Sequence, residues 1–200
     1  DYEYGIPKDD PVPIVTEDLP KDCIDIFDRT QINYYKDNDI VRRAISTVVD
    51  RKLHVAKNRP KHLYVTTNDY IHKNRIVIPF YDKNNKCIFY QTRRILDDGT
   101  PKYLSKSNST KSLFNYNNIS SSAENVFITE GPLDSCFVEN SVAVAGIQQS
   151  SNSSFNEIQK AQIDRLFLVQ RIWLLDNQWN DETSRQKTGK LLEQGECVFI

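Results

Sequence analysis

Short apolar runs alternate with helix-like segments over the second part of the chain, and this alternation limits the possible folds more than any other feature. The apolar runs, in chain order, are "VFIT", "SVAVAG", "RIWLLD" and "CVFI". The segments between them are "PLDSCFVEN", "FNEIQKAQID" and "DETSRQKTGKLLEQG", and each has helical character. Parallel strands need long crossover connections, which are usually helices. The pattern therefore predicts a parallel sheet with helices on its faces over residues 123–200.

The chain before residue 123 has a different pattern. The segment "DNDIVRRAISTVVDRKL" repeats its apolar residues on one helical face and so predicts a helix. The runs "RIVIPFYD" and "CIFYQTRRIL" are separated by "KNNK", which predicts an antiparallel hairpin. The polar stretch "PKYLSKSNSTKSLFNYNNISSSAEN" predicts a long surface loop.

These patterns together predict an α/β protein in three parts. Residues 1–39 are rich in proline and acidic residues at their start, and are expected to form an arm or a linker. Residues 40–122 are expected to form a mixed α+β subdomain with a basic loop, and residues 123–200 the parallel-sheet domain. The chain begins without Met and ends on "ECVFI", which reads as the middle of a strand. We therefore expect a piece of a longer protein whose last domain is truncated.

The composition excludes several classes of protein. A formal net charge of -1 gives no global attraction to nucleic acid, so any basic surface has to be local. No apolar run approaches the roughly 20 residues that a membrane helix needs, so we expect no membrane partner. The four cysteines are far apart and form no CxxC pair, which argues against a structural zinc site and against a disulfide framework. A reducing cytoplasm is the compartment that we expect.

Carboxylates follow two of the predicted parallel strands. Glu130 comes directly after "VFIT", Asp134 follows one helical turn later, and Asp176 ends "RIWLLD". Because ligands gather at the carboxyl ends of parallel strands, the sequence predicts that these side chains share one edge of the sheet. Their mutual repulsion calls for a cation, and hard oxygen ligands suit Mg²⁺ or Mn²⁺. We therefore predict a metal site that serves phosphoryl chemistry.

The same pattern has a simpler interpretation. Strands often end on an acidic residue because loops are polar, so these carboxylates can be solvated loop acids or helix N-caps. Asp181 and Glu182, for example, precede a predicted helix and suit its N-terminus. The sequence pattern alone leaves both interpretations open.

The residues Glu130, Gly131, Asp134, Gly146 and Asp176 stand in the order of a known pattern. They resemble the TOPRIM domain, a catalytic domain of bacterial-type primases, of type IA and II topoisomerases and of some nucleases. The upstream segments "NRIVIPFYDKNNKCIFYQTRRI" and "PKYLSKSNSTKSLFNYNNI" are similar to those that precede TOPRIM in DnaG-type primases. The sequence "DNQWND" is most similar to the corresponding segment of phage-encoded members of the family. The chain thus resembles the RNA polymerase domain of a phage-like DnaG-type DNA primase.

The resemblance implies an activity and a metal site. Such a primase joins ribonucleoside triphosphates into short RNA primers on single-stranded DNA, using Mg²⁺ or Mn²⁺, and Glu130, Asp134 and Asp176 would be its catalytic and metal-binding residues. The family has an Asp-x-Asp motif at the end of this strand, and Gln178 stands here at the position of the second Asp. Asp181 is the candidate to replace that Asp as a metal ligand. A replicative helicase, separate or fused, would be the partner, and the host cytoplasm the location if a phage encodes the chain.

The resemblance also implies a set of nucleotide-binding or nucleic-acid-binding residues. They are Arg75, Arg93, Arg94, Lys102, Tyr103 and Lys111. Arginine suits bidentate phosphate contacts, but neighbouring strand residues point to opposite faces, so we expect only one of Arg93 and Arg94 to face the site. Tyr103 either stacks on a base or anchors its loop, and the two lysines are either phosphate ligands or ordinary loop residues.

Two other functions remain open at this point. A TOPRIM nuclease would use the same carboxylates and metal to hydrolyse phosphodiesters. A binding module without catalysis is favoured by Gln178, which replaces a carboxylate with a neutral side chain. The basic loop ahead of the acidic strand favours the primase, because a nuclease needs no segment that binds a triphosphate.

Overall fold

The structure is a computed structural model, and it describes residues 15–82, 84–146, 155–176 and 179–199. These residues form one five-stranded sheet and one four-stranded sheet. All pairs in the first sheet are antiparallel, and all pairs in the second are parallel. The predicted fold class, a mixed α+β part followed by a parallel sheet with flanking helices, is confirmed.

The antiparallel sheet places its strands side by side in chain order. Its strands are β1 (Ile24–Asp25), β2 (Tyr64–Thr66), β3 (Arg75–Tyr81), β4 (Cys87–Arg94) and β5 (Tyr103–Ser105). β3 and β4 pair from Arg75–Arg94 to Tyr81–Cys87, so the predicted hairpin is confirmed. Most side chains of both strands are buried, as expected for the centre of a sheet.

Two helices lie between β1 and β2 in the sequence, α1 (Arg29–Tyr34) and α2 (Asp39–Asp50). The α2 helix begins where the side chain of Asn38 accepts hydrogen bonds from two backbone N–H groups of its first turn. Val41, Ala44 and Val48 form its buried face at helical spacing, which confirms the helix expected from the sequence. The helix ends before Lys52, whose φ of 56° is left-handed.

The parallel sheet has the order β7–β6–β8–β9, so its first strand lies in the interior. Its strands are β6 (Asn125–Thr129), β7 (Ser141–Ala143), β8 (Gln170–Leu174) and β9 (Cys197–Val198). The connecting helices are α3 (Pro132–Ser135), α4 (Glu157–Asp164) and α5 (Glu182–Glu193). Every strand and helix expected in this part is therefore present, and the carboxyl ends of β6 and β8 lie side by side.

The stretch expected to be a long surface loop is different in the structure. Its beginning forms β5, and residues 112–116 are buried. Phe114 pairs with Ala143 at the end of β7, and the backbone N–H of Leu113 donates to the side chain of Gln162 on α4. The prediction of a surface loop is therefore wrong here, because these apolar side chains fill the junction between the two sheets.

The buried side chains form two clusters. One contains residues of α2 and the antiparallel sheet and continues through Phe114 to Leu133 and Ala143 of the parallel-sheet region. The other surrounds Trp173 on β8. The two sheets therefore share packed side chains, and the division at residues 122 and 123 stays a prediction. In the part of the chain that the structure describes, no helix has both the length and the apolar character to cross a membrane.

Candidate active site

A cleft of about 220 Å³ lies where the carboxyl edge of the parallel sheet faces the antiparallel sheet. Three acidic residues line it, Glu130, Asp134 and Asp176, together with Gln91, Lys102 and Tyr103 from the antiparallel side. The structure thus brings the three predicted carboxylates to one cleft, although 46 residues separate Glu130 from Asp176 in the sequence. A lysine of the expected basic loop borders the same space.

The turn after β6 explains why Glu130 is followed by glycine. β6 ends at Thr129, and Gly131 is the N-cap of the short α3 helix, with Pro132 in its first turn. A Cβ on Gly131 would collide with Oδ2 of Asp134 and would lie 3.4 Å from its Cγ. The glycine therefore leaves room for the Asp134 carboxylate close to the backbone, while its φ of -97° is open to any residue.

Helix α5 supplies two donors to Glu130. The Nζ of Lys187 lies 2.9 Å from Oε2 of Glu130, and the hydroxyl of Ser184 lies 3.4 Å from Oε1. The side chains of Lys187 and Glu130 are only 18% and 14% exposed. A cation of the protein itself therefore neutralises this carboxylate in the structure.

Asp134 also has a basic neighbour. The Nη2 of Arg51, just past the end of α2, lies 3.6 Å from its Oδ1. Desolvation raises the pKa of Asp134, Arg51 opposes this rise and Asp176 adds to it. The electrostatic coupling to Asp176 agrees with the placement of both carboxylates on one cleft.

Asp181 caps helix α5. Its Oδ1 accepts hydrogen bonds from the backbone N–H groups of Thr183 at 2.8 Å and Ser184 at 3.4 Å, and these bonds lower the pKa of Asp181. The N-cap interpretation of Asp181 is therefore confirmed. Its role as a metal ligand stays a prediction, and Gln178 lies outside the described residues.

Arg75 is placed differently from the expectation that it binds phosphate. The residue is 3% exposed, and its guanidinium donates to Thr92, Thr100 and the backbone carbonyls of Pro101 and Lys102. Four of its five N–H groups thus have protein acceptors. Arg75 therefore holds the backbone that carries Lys102, and burial lowers its pKa; a contact of Arg75 with phosphate stays a prediction.

Arg93 and Arg94 point to different surroundings, as their alternation on β4 predicts. The Nη1 of Arg93 donates to the hydroxyl of Tyr103 at 2.6 Å, and its guanidinium lies 5.2 Å from the centre of that ring. Arg94 instead pairs with Asp97 at 2.8 Å. Arg93 is therefore the one of the two whose guanidinium contacts a side chain of the cleft, that of Tyr103.

The two lysines of the basic loop, Lys102 and Lys111, lie in different surroundings. Lys102 lines the cleft, with its Nζ 5.8 Å from the centre of the Tyr103 ring. Lys111 is half-buried next to α4, where its backbone carbonyl accepts from Asn156, and burial lowers its pKa. Among the residues that the structure describes, Lys111 does not line this cleft.

A second, larger cleft of about 560 Å³ lies on the segment after α2. His54, Lys57, Arg59 and Lys61 line it and make it basic. Asn58 attaches this segment to the parallel-sheet region, since its side-chain amide donates to the carbonyls of Ser135 and Ser141 at 3.0 and 2.9 Å. The basic segment is thus attached to the last residue of α3, a helix that also borders the acidic cleft.

Sequence reasoning missed Lys187, Ser184 and Arg51. Ser184 and Lys187 stand three residues apart on a predicted helix, so their shared face was detectable, but nothing in the sequence indicated that this face meets Glu130. Arg51 is one of several basic residues at the end of a helix. The contacts of all three depend on how helices pack against the strand ends.

The residues of the cleft fit a divalent cation in their chemistry. Three carboxylates border one space, and carboxylate oxygens are what Mg²⁺ and Mn²⁺ prefer. Within the ranges 15–82, 84–146, 155–176 and 179–199, however, no three Asp, Glu, His or Cys side chains converge as a ready-made metal site. Glu130 and Asp134 are turned toward Lys187 and Arg51 instead.

No family model matches this sequence. Over 130 residues it is 29% identical to a DNA primase of Enterobacteria phage T4, a match that covers 65% of this chain and 35% of that protein. The chain thus spans about a third of the length of this curated relative.

Two solved structures are also similar. The zinc-binding and RNA polymerase domains of the Aquifex aeolicus primase are 20% identical, with coverage of 87% of this chain and 49% of that chain and a TM-score of 0.49. A DNA primase domain from Pseudomonas aeruginosa is 20% identical, with coverage of 77% and 49% and a TM-score of 0.49. The chain is thus similar in sequence to a phage DNA primase, and the predicted resemblance to a phage-encoded primase is confirmed to that extent.

Proposed function

We propose that this chain is the RNA polymerase domain of a DNA primase, which synthesises short RNA primers on a single-stranded DNA template. One observation carries the proposal: the cleft lined by Glu130, Asp134 and Asp176 is also lined by Lys102 from the opposite sheet. Acidic groups for a metal and a basic group for phosphates are the two parts that nucleotidyl transfer needs. The sequence relative from phage T4 is itself a DNA primase.

The three carboxylates would hold Mg²⁺ or Mn²⁺, with Asp181 as a further candidate ligand. When bound, such an ion stabilises the negative charge that develops on the phosphates during transfer. The chain itself contributes the close approach of Asp134 to Gly131, which fixes one carboxylate beside the strand that presents Glu130. Gly146 donates its N–H to the carbonyl of Glu130 at 3.2 Å and fixes that strand end.

The antiparallel side of the cleft would bind the triphosphate. Lys102 presents an ammonium to this space, and Arg75 holds its backbone through the carbonyl of Lys102 at 3.1 Å. Arg93 restrains the hydroxyl of Tyr103, so the ring is held beside Lys102. We therefore assign phosphate binding to Lys102 and a positioning role to Arg93 and Arg75. Stacking on a base is assigned to Tyr103.

The single-stranded template would lie along the basic cleft of His54, Lys57, Arg59 and Lys61. Positively charged grooves follow the phosphate backbone of single strands without reading sequence. The helicase partner, as a separate protein or as a domain of the same polypeptide, and the cytoplasmic location both remain part of this proposal. Co-purification of the chain with its replicative helicase tests the first of these.

A single assay tests the activity. The chain is incubated with single-stranded DNA, labelled ribonucleotides and Mg²⁺ or Mn²⁺, beside a Glu130→Gln variant as the matched control. We expect labelled oligomers with the unsubstituted chain and none with the variant. Shortened DNA without oligomers would support a nuclease, and neither product would support a binding module. Either result contradicts the proposal.

A further inference from the structure

Among the residues that the structure describes, the pairing of Lys187 with Glu130 is the closest contact between a basic and an acidic side chain at the cleft. The two charged atoms lie 2.9 Å apart, and both side chains are mostly buried. A buried carboxylate that loses its partner is costly, because water no longer solvates its charge. In this structure Lys187 is the cation that pairs with the Glu130 carboxylate.

Helix α5 positions the side chain of Lys187 beside Glu130. Asp181 caps the helix, Ser184 and Thr188 are buried on its inner face, and Leu191 packs in the core around Trp173. The backbone at Lys187 is therefore held in place, while the flexible four-carbon stem of the side chain lets the ammonium move. The same helix face brings the hydroxyl of Ser184 to the second oxygen of Glu130.

We propose that Lys187 is the resident counter-cation of Glu130, a positioning residue that gives way to the divalent ion and thereby sets the affinity of the site for it. The proposal rests on the proposed metal site at Glu130. A metal ion and an ammonium compete for one carboxylate, because two cations on the same oxygens repel each other. Lys187 thus holds the Glu130 carboxylate in place before metal binds, and weakens metal binding by the strength of the pair.

Removal of the ammonium separates these two effects. In a Lys187→Met variant the side chain keeps its length but loses its charge. We expect the metal-free protein to unfold at a lower temperature, because Glu130 is left unpaired. We also expect Mn²⁺ to bind more tightly, on the order of tenfold, which corresponds to ~1.4 kcal/mol. A residue that only supports the fold would lower stability without tightening metal binding.

The readout is the dissociation constant for Mn²⁺, measured from the electron paramagnetic resonance signal of the free ion. Lys190→Met is the matched control, since it removes the same charge from an exposed position of the same helix. We expect its affinity to change less than about twofold, in keeping with screening of exposed charges. Circular dichroism establishes that each variant is folded.

A second variant keeps the proposal testable if Lys187→Met does not fold. Lys187→Arg preserves the charge and offers a fork of donors to the carboxylate, so we expect weaker Mn²⁺ binding than in the unsubstituted chain. If Lys187→Met does not fold, unchanged or tighter Mn²⁺ binding in Lys187→Arg would overturn the inference. If it does fold, unchanged affinity in both variants, or weaker binding in Lys187→Met, would overturn it.

Glu130→Gln separates this inference from the proposed function. If Glu130→Gln binds Mn²⁺ as the unsubstituted chain does, Glu130 is not a ligand, and both the proposed metal site and the role of Lys187 fail. If Glu130→Gln loses Mn²⁺ binding while the Lys187 variants leave it unchanged, the metal site stands and only the role of Lys187 is overturned.

Discussion

The side-chain amide of Gln91, on β4, donates a hydrogen bond to the backbone carbonyl of Ala145, just past β7, over 3.2 Å. Both residues are buried, and Ala145 has a left-handed φ of 57°. The next residue, Gly146, donates its N–H to the carbonyl of Glu130. One side chain of the antiparallel sheet thus fixes the turn that supports the acidic edge of the parallel sheet.

We predict that Gln91→Leu destabilises this junction. The carbonyl of Ala145 would be left buried without its donor, which costs about 1–3 kcal/mol. Urea unfolding measures this loss, and primer synthesis should fall with it because the turn at Ala145 supports Glu130. A free energy of unfolding within about 0.5 kcal/mol of the unsubstituted chain would show that the contact carries little energy.

Gly131→Ala is predicted to disturb the site and to spare the fold. The new Cβ collides with Oδ2 of Asp134, while a φ of -97° suits alanine. We expect the carboxylate to move and primer synthesis to fall on the order of tenfold or more, since small misplacements of catalytic groups are costly. The melting temperature should barely change.

Gly189→Ala is the control for this substitution. It lies in helix α5 with nothing within 4 Å of the added Cβ, so it should stabilise the protein by roughly 0.5–1 kcal/mol. Equal activity of the Gly131→Ala and Gly189→Ala variants would contradict the close approach of Asp134.

The basic cleft is predicted to bind single-stranded DNA. Replacing Lys57 and Lys61 by Glu removes two cations from its lining. We expect weaker binding to an oligodeoxynucleotide and a salt dependence whose slope falls by about 1.4, since each phosphate contact contributes about 0.7 for single strands. Fluorescence anisotropy at several salt concentrations measures the affinity for the oligodeoxynucleotide and the slope of its salt dependence. Lys36→Glu, at an exposed position outside either cleft, is the control, and an equal loss in that variant would argue for a general charge effect.

Acidification is predicted to destabilise the fold through His72. The ring is 3% exposed, its Nδ1 lies 2.9 Å from the hydroxyl of Thr92, and burial lowers its pKa below 6.5. The unfolded chain therefore binds a proton at a higher pH than the folded one, so the contribution of His72 to stability is complete above pH 6.5 and declines below it. Urea unfolding at pH 7.5 and 5.5 tests this.

The matched comparison for His72 is a pair of Gln variants. His72→Gln should lose less stability between the two pH values than the unsubstituted chain does. His54→Gln is the control for the loss of a histidine at an exposed position. A pH dependence that is unchanged in His72→Gln would assign the loss to other groups.

The cysteines are predicted to differ sharply in reactivity. Burial raises the pKa of Cys23 and Cys136 to about 12 and that of Cys87 to about 11, whereas Cys197 is exposed. The thiolate is the reactive form, so the first three should react slowly with a disulfide reagent at pH 8. We expect one fast equivalent, lost in Cys197→Ser. A second fast equivalent would contradict the raised pKa of the other three thiols.

The parallel sheet was predictable because its signal is local. Each strand is a short apolar run, and the rule that strand ends meet at one edge placed Glu130 and Asp176 on the same cleft without any contact being known. Helix α2 was equally clear, since Val41, Ala44 and Val48 repeat at helical spacing. Such patterns can be recognised in a single sequence because they involve residues that are close to one another along the chain.

The remaining features depend on contacts between distant segments. Phe114 lies among polar residues, and only the junction of two sheets explains its burial. Arg75 looks like any strand-end arginine until its acceptors around residue 100 are known. Lys187 meets Glu130 because of the angle at which α5 packs, and no spacing in the sequence encodes that angle.

The central claim is that Glu130 and Asp176 share a divalent ion. Crystals soaked in Mn²⁺ test it through the anomalous difference map. We predict a peak about 2.1 Å from carboxylate oxygens of both residues, with the ammonium of Lys187 turned away from Glu130. A map with carboxylates of Glu130 and Asp176 more than about 10 Å apart, and therefore unable to reach a common ion, would contradict the account.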